Sequence, residues 1–366
     1  MSRRLLILAE REAGCAARLV AAGVEPEASG EIAAYLSQAT DLVAFEGPIS
    51  QRMADTGIEV RFGDPTEPGT WLDWLRDGPA RTVVWAVTDG IRYYRGSHAS
   101  ALARLLGARL FGAPTAIQYL AQDKFKCGAV AAALGVPVPA TGLMRDGDWL
   151  TDPPPGPGPW FVKPNTLGAK LGIWADSRVG DLDRAADLSR RIHARYRDDA
   201  VVQGFVPGFD VRVSYMAVEP DPELERLGVY RLETGGGGET GGDFLTMADN
   251  RTLSGTADSE GGASASRAGE AAFVPRMIDL AAEDRALAEA IAGMVRQVAR
   301  GIGLRDLFSF DIRVSADRTP TLLEFEVCPA VTIYDFRRYL SDYWGCDLPG
   351  ALVRTVGAAF ERAPDI

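Results

Sequence analysis

The stretch WFVKPNTLGAKLGIW, Trp160 to Trp174, sets two lysines around a glycine turn. An apolar run, Trp160 to Val162, delivers Lys163. A proline, a short polar turn and the segment Gly168 to Gly172 follow, with Lys170 inside it, and Ile173 resumes an apolar pattern. The pattern reads as strand, glycine loop, strand, with two ammonium groups aimed at one place. Glycines let the backbone approach an anion and turn N–H groups towards it, and lysine supplies a compact point charge suited to phosphate. An ordinary β-hairpin with a solvated lysine at its tip would carry the same local signal. The use of lysine along the chain favours the first reading. Of 39 lysines and arginines only four are lysines, Lys124, Lys126, Lys163 and Lys170, all within residues 124–170. Elsewhere the positive charge is arginine, which differs from lysine in shape, hydration and pKa tuning, so the ammonium itself is wanted in this span.

Composition bounds the function classes. The 366 residues suit two or three lobes, and 46% hydrophobic with 24% charged residues is ordinary for a globular protein. No apolar run approaches the roughly 18–20 residues that span a bilayer. The opening MSRRLLILAEREAG reaches acid too soon for a secretory signal and reads as a first strand. Cysteines at 15, 127, 328 and 346, without a CxxC pair, suit a reduced, cytoplasmic setting. A net charge of −11 argues against a general nucleic-acid or membrane surface, so an anionic ligand must meet local positive charge.

In chain order, Arg4 to Ala9 and Thr82 to Thr88 read as strands buried on both faces of a parallel sheet. Ser97 to Leu106 reads as a helix and Arg109 to Phe111 as a short strand, which makes residues 1–115 an open α/β domain. His98 and His193 have no ligand-like neighbours and read as structural. A second unit begins with a helix over Ala116 to Leu134 that carries Asp123, Lys124 and Lys126. After the proline- and glycine-rich connector Asp152 to Pro159 come the opening stretch, a helix Asp181 to Tyr196 and a strand Ala200 to Val206. Alternation over Asp210 to Val218 predicts a half-exposed antiparallel strand. The segments Gly235 to Gly242 and Ser254 to Gly269 have little to bury, and read as a mobile lid or a plain loop. A long helix, Glu283 to Ile302, leads to LFSFDIRVSADRTPTLLEFEVCP, a hairpin turned at Ala316 to Thr319. Alternation puts Ser309, Asp311 and Arg313 on one face, and Glu324 and Glu326 together on the partner strand. Three carboxylates there are either solvated or hold a hard cation such as Mg²⁺, and the surrounding Leu322, Leu323, Phe325 and Val327 make idle charge costly.

Taken together, Asp123–Lys124, VKPNTLGAKLGI, VVQGFVPGFD and FDIRV paired with LLEFEVCP resemble the ATP-grasp superfamily, in an order most similar to its D-alanine–D-alanine ligase branch. The resemblance spans roughly residues 80–335. It implies an ATP-grasp α/β fold: an open parallel N-terminal domain (1–115), a central lobe with the glycine loop (116–205), and a C-terminal lobe with the metal site and lid (206–366). The cofactors implied are ATP and Mg²⁺, with Mn²⁺ as the alternative ion. Carried over by position, Lys124, Lys163 and the loop Gly168, Ala169, Lys170 and Gly172 would hold ATP phosphates. Gln203 and the backbone of Val206 would read the adenine, Asp210 the ribose, and Asp311, Glu324 and Glu326 the metal. Glu10 would orient the first amino acid.

This sequence departs from the branch at named positions. Glu326 stands where the family has Asn, and Gln203 where it often has Glu. Ser309 stands where an arginine stabilises the tetrahedral oxyanion, which leaves Arg313 on the same face to take that role. Ala169 and Lys170 replace loop serines. Asp335 replaces a serine that helps hold the acceptor carboxylate, so it would repel that group unless Arg337 or Arg338 compensates. These changes fall on the amino-acid side of the site. The function implied is an ADP-forming carboxylate–amine ligase acting through an acyl phosphate on amino acids or similar small acids and amines, with Lys163, Lys170 and Arg313 as catalytic groups. The alternatives are an ATP-grasp enzyme with a non-amine nucleophile and a non-catalytic ATP-binding regulator. The expected partners are small molecules, with neither nucleic acid nor membrane; a homodimer is allowed.

Overall fold

The computed structural model describes residues 2–36, 39–87, 96–233, 244–247 and 276–362. Fourteen described strands form three sheets. The first holds β1 (Arg3–Leu8), β2 (Ile58–Gly63), β3 (Thr82–Ala86) and β4 (Arg109–Phe111) in the order β2-β1-β3-β4, all parallel. Its inner strands β1 and β3 are largely apolar because both of their faces are covered, whereas the edge strand β2 is half-exposed. Leu6, Leu8 and Val84 meet Trp71, Leu75 and Ala103 on one side. On the other, Leu5, Ile7, Val83 and Trp85 share a core with Met216, Leu307, Phe336, Leu352 and Val356. The end of the chain, helix Leu348–Glu361 included, therefore returns to the first sheet although its sequence position groups it with the last lobe.

The second sheet consists of β5 (Thr141–Arg145), β6 (Asp148–Trp149), β7 (Trp160–Pro164), β8 (Arg178–Val179) and β9 (Ala200–Gly204) in the order β6-β5-β9-β7-β8, with helix Leu182–Tyr196 packed against it. Asp181 caps that helix by accepting from the Arg184 N–H. The third sheet is β12-β11-β10-β13-β14: β10 (Phe209–Met216), β11 (Gly228–Glu233), β12 (Arg276–Asp279), β13 (Leu307–Val314) and β14 (Pro320–Glu326), all antiparallel. Alternation sorts its faces. Val211, Val213, Phe308, Phe310, Ile312, Leu322 and Phe325 are buried under helix Arg285–Ile302 through Leu287, Ile291, Val295 and Val298. The opposite face carries Arg212, Ser214, Ser309, Asp311, Arg313, Glu324 and Glu326 in adjacent register.

Two local expectations are corrected. The helix expected over 116–134 is two helices, Thr115–Gln122 and Lys124–Ala133, because Asp123 leaves helical geometry and its carboxylate accepts the Lys126 N–H, starting a new helix at Lys124. The chain does not re-enter a strand at Ile173. Ala169, Lys170 and Gly172 take left-handed φ values of 50°, 60° and 71°, and the resulting turns are closed by Leu171 N–H to Gly168 C=O and Ile173 N–H to Lys170 C=O. Leu167 and Leu171 hold this loop down by packing on Cys15, Leu19 and Ile32. The segments Gly235 to Gly242 and Ser254 to Gly269 lie outside the described residues.

Candidate active site

The site begins with two buried lysines. Lys163 stands on β7 and Lys124 opens the helix Lys124–Ala133; they are 5% and 7% exposed. Asn165 ties them together. Its backbone carbonyl accepts the Lys124 N–H at 3.1 Å and its Oδ1 accepts the Phe125 N–H at 2.9 Å, so the helix start is fixed to the loop that follows β7. Buried Asp198 braces the next residue, accepting from the Thr166 N–H and hydroxyl at 2.8 and 3.0 Å. Both ammonium groups then converge on Glu324 Oε2, Lys124 at 3.3 Å and Lys163 at 3.6 Å. Lys124 Nζ also donates to the Leu167 carbonyl beside the glycine loop.

The electrostatics follow from this geometry. Burial pulls the Lys163 ammonium below the usual lysine range, with Glu324 acting against it. Burial would raise the Glu324 carboxyl, but Lys124 and Lys163 outweigh it and hold the group below the usual carboxylate range. Asp311 moves the other way: burial and the neighbouring Glu326 and Glu324 push it up against the pull of Arg212. Lys124, Thr166, Gly168, Glu324 and Glu326 line a cleft open to solvent, together with Gln118 and Gln122, which the sequence pattern did not single out.

The three acids expected to share a metal are divided between two sets of cations. Glu324 turns to the lysines, whereas Asp311 Oδ1 and Glu326 Oε2 meet Arg212 at 2.8 and 2.6 Å. Among the described residues no group of three potential ligands is gathered at one point. Like charges on adjacent strands repel, and each takes the nearest cation. Ser309 donates to Glu326 Oε2 at 3.0 Å.

Arg313 does not join this cluster. Its Nη1 pairs with Asp210 Oδ1 at 2.8 Å and its Nε donates to the Val206 carbonyl at 3.0 Å, which turns it away from the position expected of an oxyanion group. The guanidinium among the acids is Arg212, on β10 directly across from Asp311. Asp335 is likewise met by Arg212, Nε to Oδ2 at 3.2 Å, and not by the expected neighbours: Arg337 Nε donates to the Thr332 carbonyl and Arg338 Nε pairs with Asp342. Gln203 is buried and donates to Thr141 Oγ1 at 3.1 Å. Glu10 is fully buried, and its Oε1 accepts from Arg18 Nε and Nη2 at 2.9 and 2.7 Å. Lys170 stays in the glycine loop, half-buried.

Among solved structures, a D-alanine–D-alanine ligase from Bacillus anthracis complexed with ATP matches with a TM-score of 0.61 and 12% identity, covering 98% of each chain. D-alanyl-alanine synthetase A from Vibrio cholerae matches at 0.63 with 16% identity over 99% of each. The chain has the ATP-grasp fold. No family model matches it. Its sequence is similar to the D-alanine–D-alanine ligases of Aromatoleum aromaticum, 25% identical over 232 residues (63% of this chain, 64% of that protein), and of Caulobacter vibrioides, 26% identical over 243 residues (66% of each). The chain thus matches just under two thirds of the length of these relatives. No helix among the described residues is long and apolar enough to cross a membrane.

Proposed function

We propose that this ATP-grasp chain is an ATP-dependent carboxylate–amine ligase that joins amino acids or similar small molecules and releases ADP and phosphate. The observation that carries the reading is the convergence of buried Lys124 and Lys163 on Glu324, beside the glycine loop and the Asp311 face of β13. Two desolvated ammonium groups held to one carboxylate are preorganised for an incoming polyanion, because a triphosphate can replace Glu324 as their partner. Asp210, the Val206 backbone and Gln203 lie along the junction from β9 to β10 and would take the nucleoside end.

The acid face has the donor chemistry that magnesium takes, although among the described residues its acids are each paired with a cation and are not gathered at one point. Asp311, Glu324, Glu326 and Asp335 set four carboxylates against three cations, Lys124, Lys163 and Arg212, and all the donors are hard oxygens. Asp311, Glu324 and Glu326 would hold the ion, which would supply neutralisation of phosphate charge. In the first step a substrate carboxylate oxygen attacks the γ-phosphorus, the bond to ADP breaks, and Lys163 and Lys124 carry the charge that develops on the phosphoryl oxygens. In the second, an amine nitrogen attacks the carbonyl carbon, the C–N bond forms, the C–O bond breaks with its electron pair leaving on phosphate, and the amine's proton passes to the released phosphate or to water. The chain supplies position and charge; no protein nucleophile is needed.

The test is a screen of amino acids and small acids, singly and in pairs, for ADP release and amide product. ADP release that requires both a carboxylate and an amine, with the amide found in equal amount, is the expected result. ADP release with a carboxylate and a hydroxyl or thiol compound, and none with any amine, would replace the reading by a ligase with another nucleophile.

A further inference from the structure

On the polar face of the third sheet Arg313 is taken by Asp210, and Arg212 is the cation set among the acids. Arg212 has three ion-pair contacts, and each goes to a different carboxylate: Nε to Asp335, Nη1 to Asp311 and Nη2 to Glu326, at 3.2, 2.8 and 2.6 Å. Its side chain is 11% exposed, and the three acids raise its pKa against the effect of burial. The surrounding sequence makes room for it. In the row next to Arg212, Gly228, Ser214 and Ser309 stand side by side on β11, β10 and β13. A Cβ on Gly228 would come within 2.6 Å of the Tyr339 ring, so this row of small residues lets helix Tyr334–Tyr339 sit close to the sheet. That helix brings Asp335, itself 2% exposed, against Arg212 Nε. The guanidinium is thus held from the back and presents both Nη groups forward.

Those Nη groups each take one oxygen of a cleft carboxylate. Asp311 gives Oδ1 and Glu326 gives Oε2, while their second oxygens accept no hydrogen bond among the described residues and the two side chains are 34% and 28% exposed. We infer that Arg212 is a positioning residue for a divalent ion: it pins one oxygen of Asp311 and one of Glu326, and so presents the second oxygen of each to the ion. The inference rests on the proposed metal-dependent reading of the site. A rigid fork fixes two carboxylates in a way that a single ammonium cannot, and such outer partners typically change metal affinity by about 10–100-fold.

The experiment uses the full chain and Mn²⁺ as the probe, following free Mn²⁺ by electron paramagnetic resonance, with and without ATP, and reading no turnover. Arg212→Lys keeps the charge and loses the fork; its dissociation constant for Mn²⁺ is expected to rise about tenfold or more, with an altered bound-ion spectrum. Asp335→Asn loosens the rear anchor without touching Asp311 or Glu326, and is expected to weaken Mn²⁺ in the same direction. This second variant decides the matter if Arg212→Lys does not fold. Affinities within twofold of the parent in the folded variants would overturn the inference, as would a parent that binds no Mn²⁺ in either condition. Loss of the ligase reading through the substrate screen would leave the Mn²⁺ comparison intact, so the two failures are distinguishable.

Discussion

Replacing Lys163 by methionine should separate stability from activity. The ammonium lies 3.6 Å from Glu324 with only 6% of its side chain exposed. At an effective dielectric of about 20 the gross attraction at that distance is roughly 5 kcal/mol. Burying the ammonium costs several kcal/mol in return, and that cost is visible in the direction of its pKa, which burial lowers. A base with a depressed folded-state pKa contributes stability above its unfolded pKa and loses it as pH falls through the folded value, so at neutral pH the charged lysine is close to neutral or costly for the fold. Methionine fills a similar volume without the charge, and Glu324 keeps Lys124 at 3.3 Å. The expected outcome is a melting temperature within a few degrees of the parent. Turnover should fall about 10²–10³-fold, as when one preorganised transition-state donor is removed. Melting by circular dichroism and ADP release on the same preparation provide the two readings. Turnover within threefold of the parent in a folded variant would refute the phosphate role. A melting temperature lowered by tens of degrees would show instead that Lys163 is a structural ion-pair partner.

Burial raises the Asp198 carboxyl to about 6, so its contribution to stability is full below its unfolded pKa near 4 and is lost as pH rises through 6, a change of about 3 kcal/mol. Asp198→Asn should flatten that part of the stability–pH curve, and chemical unfolding at pH 4 and pH 7 checks it; equal slopes in parent and variant would contradict it. Gly208 joins β9 to β10 with φ +134°, and a Cβ there would lie 1.9 Å from the Val314 carbonyl oxygen, so Gly208→Ala should cost on the order of 3 kcal/mol. An unchanged urea midpoint for that variant would show that the junction relaxes freely.

The fold was legible where hydrophobic period and position agree. The runs Leu5–Leu8 and Val83–Ala86 are apolar at every residue because the helices around Trp71 and Ala103 cover one face and the third sheet with the chain's end covers the other. The alternation in DVRVSYM and FDIRV put Val211, Val213, Phe310 and Ile312 on the face under the helix and Arg212 and Asp311 on the other, but the expected half-exposed strand fails beyond Val213, where Ser214, Tyr215 and Met216 are buried on both faces. Strand β2 escaped because IEVRFG mixes charge into a half-exposed strand. The return of helix Leu348–Glu361 to the first sheet depends on contacts nearly a whole chain length apart, which no local pattern encodes. The break at Asp123 carries a readable signal in retrospect, since an aspartate three residues before Lys126 is an N-cap even inside a continuous helical pattern.

Alternation could place Asp311, Glu324 and Glu326 on one face, but it could not say which cation each would choose. That choice depends on register between strands far apart in sequence: Arg212 lies across from Asp311 only because β10 pairs with β13 at that offset. One residue of slip would turn Arg212 to the apolar face, where Val211 and Val213 now pack under the helix Arg285–Ile302. Arg313 illustrates the same limit from the other side. It shares a face with Asp311, yet two residues along β13 carry it one row further, opposite Asp210, and its guanidinium is taken there. The sequence signal that would have singled out Arg212 is charge matching. A strand that faces three acids, one on the adjacent β13, one on β14 beyond it and one on the helix above, cannot bury all of them without a cation of its own. Arg212 is the basic residue of β10, at the position where the register brings those acids together.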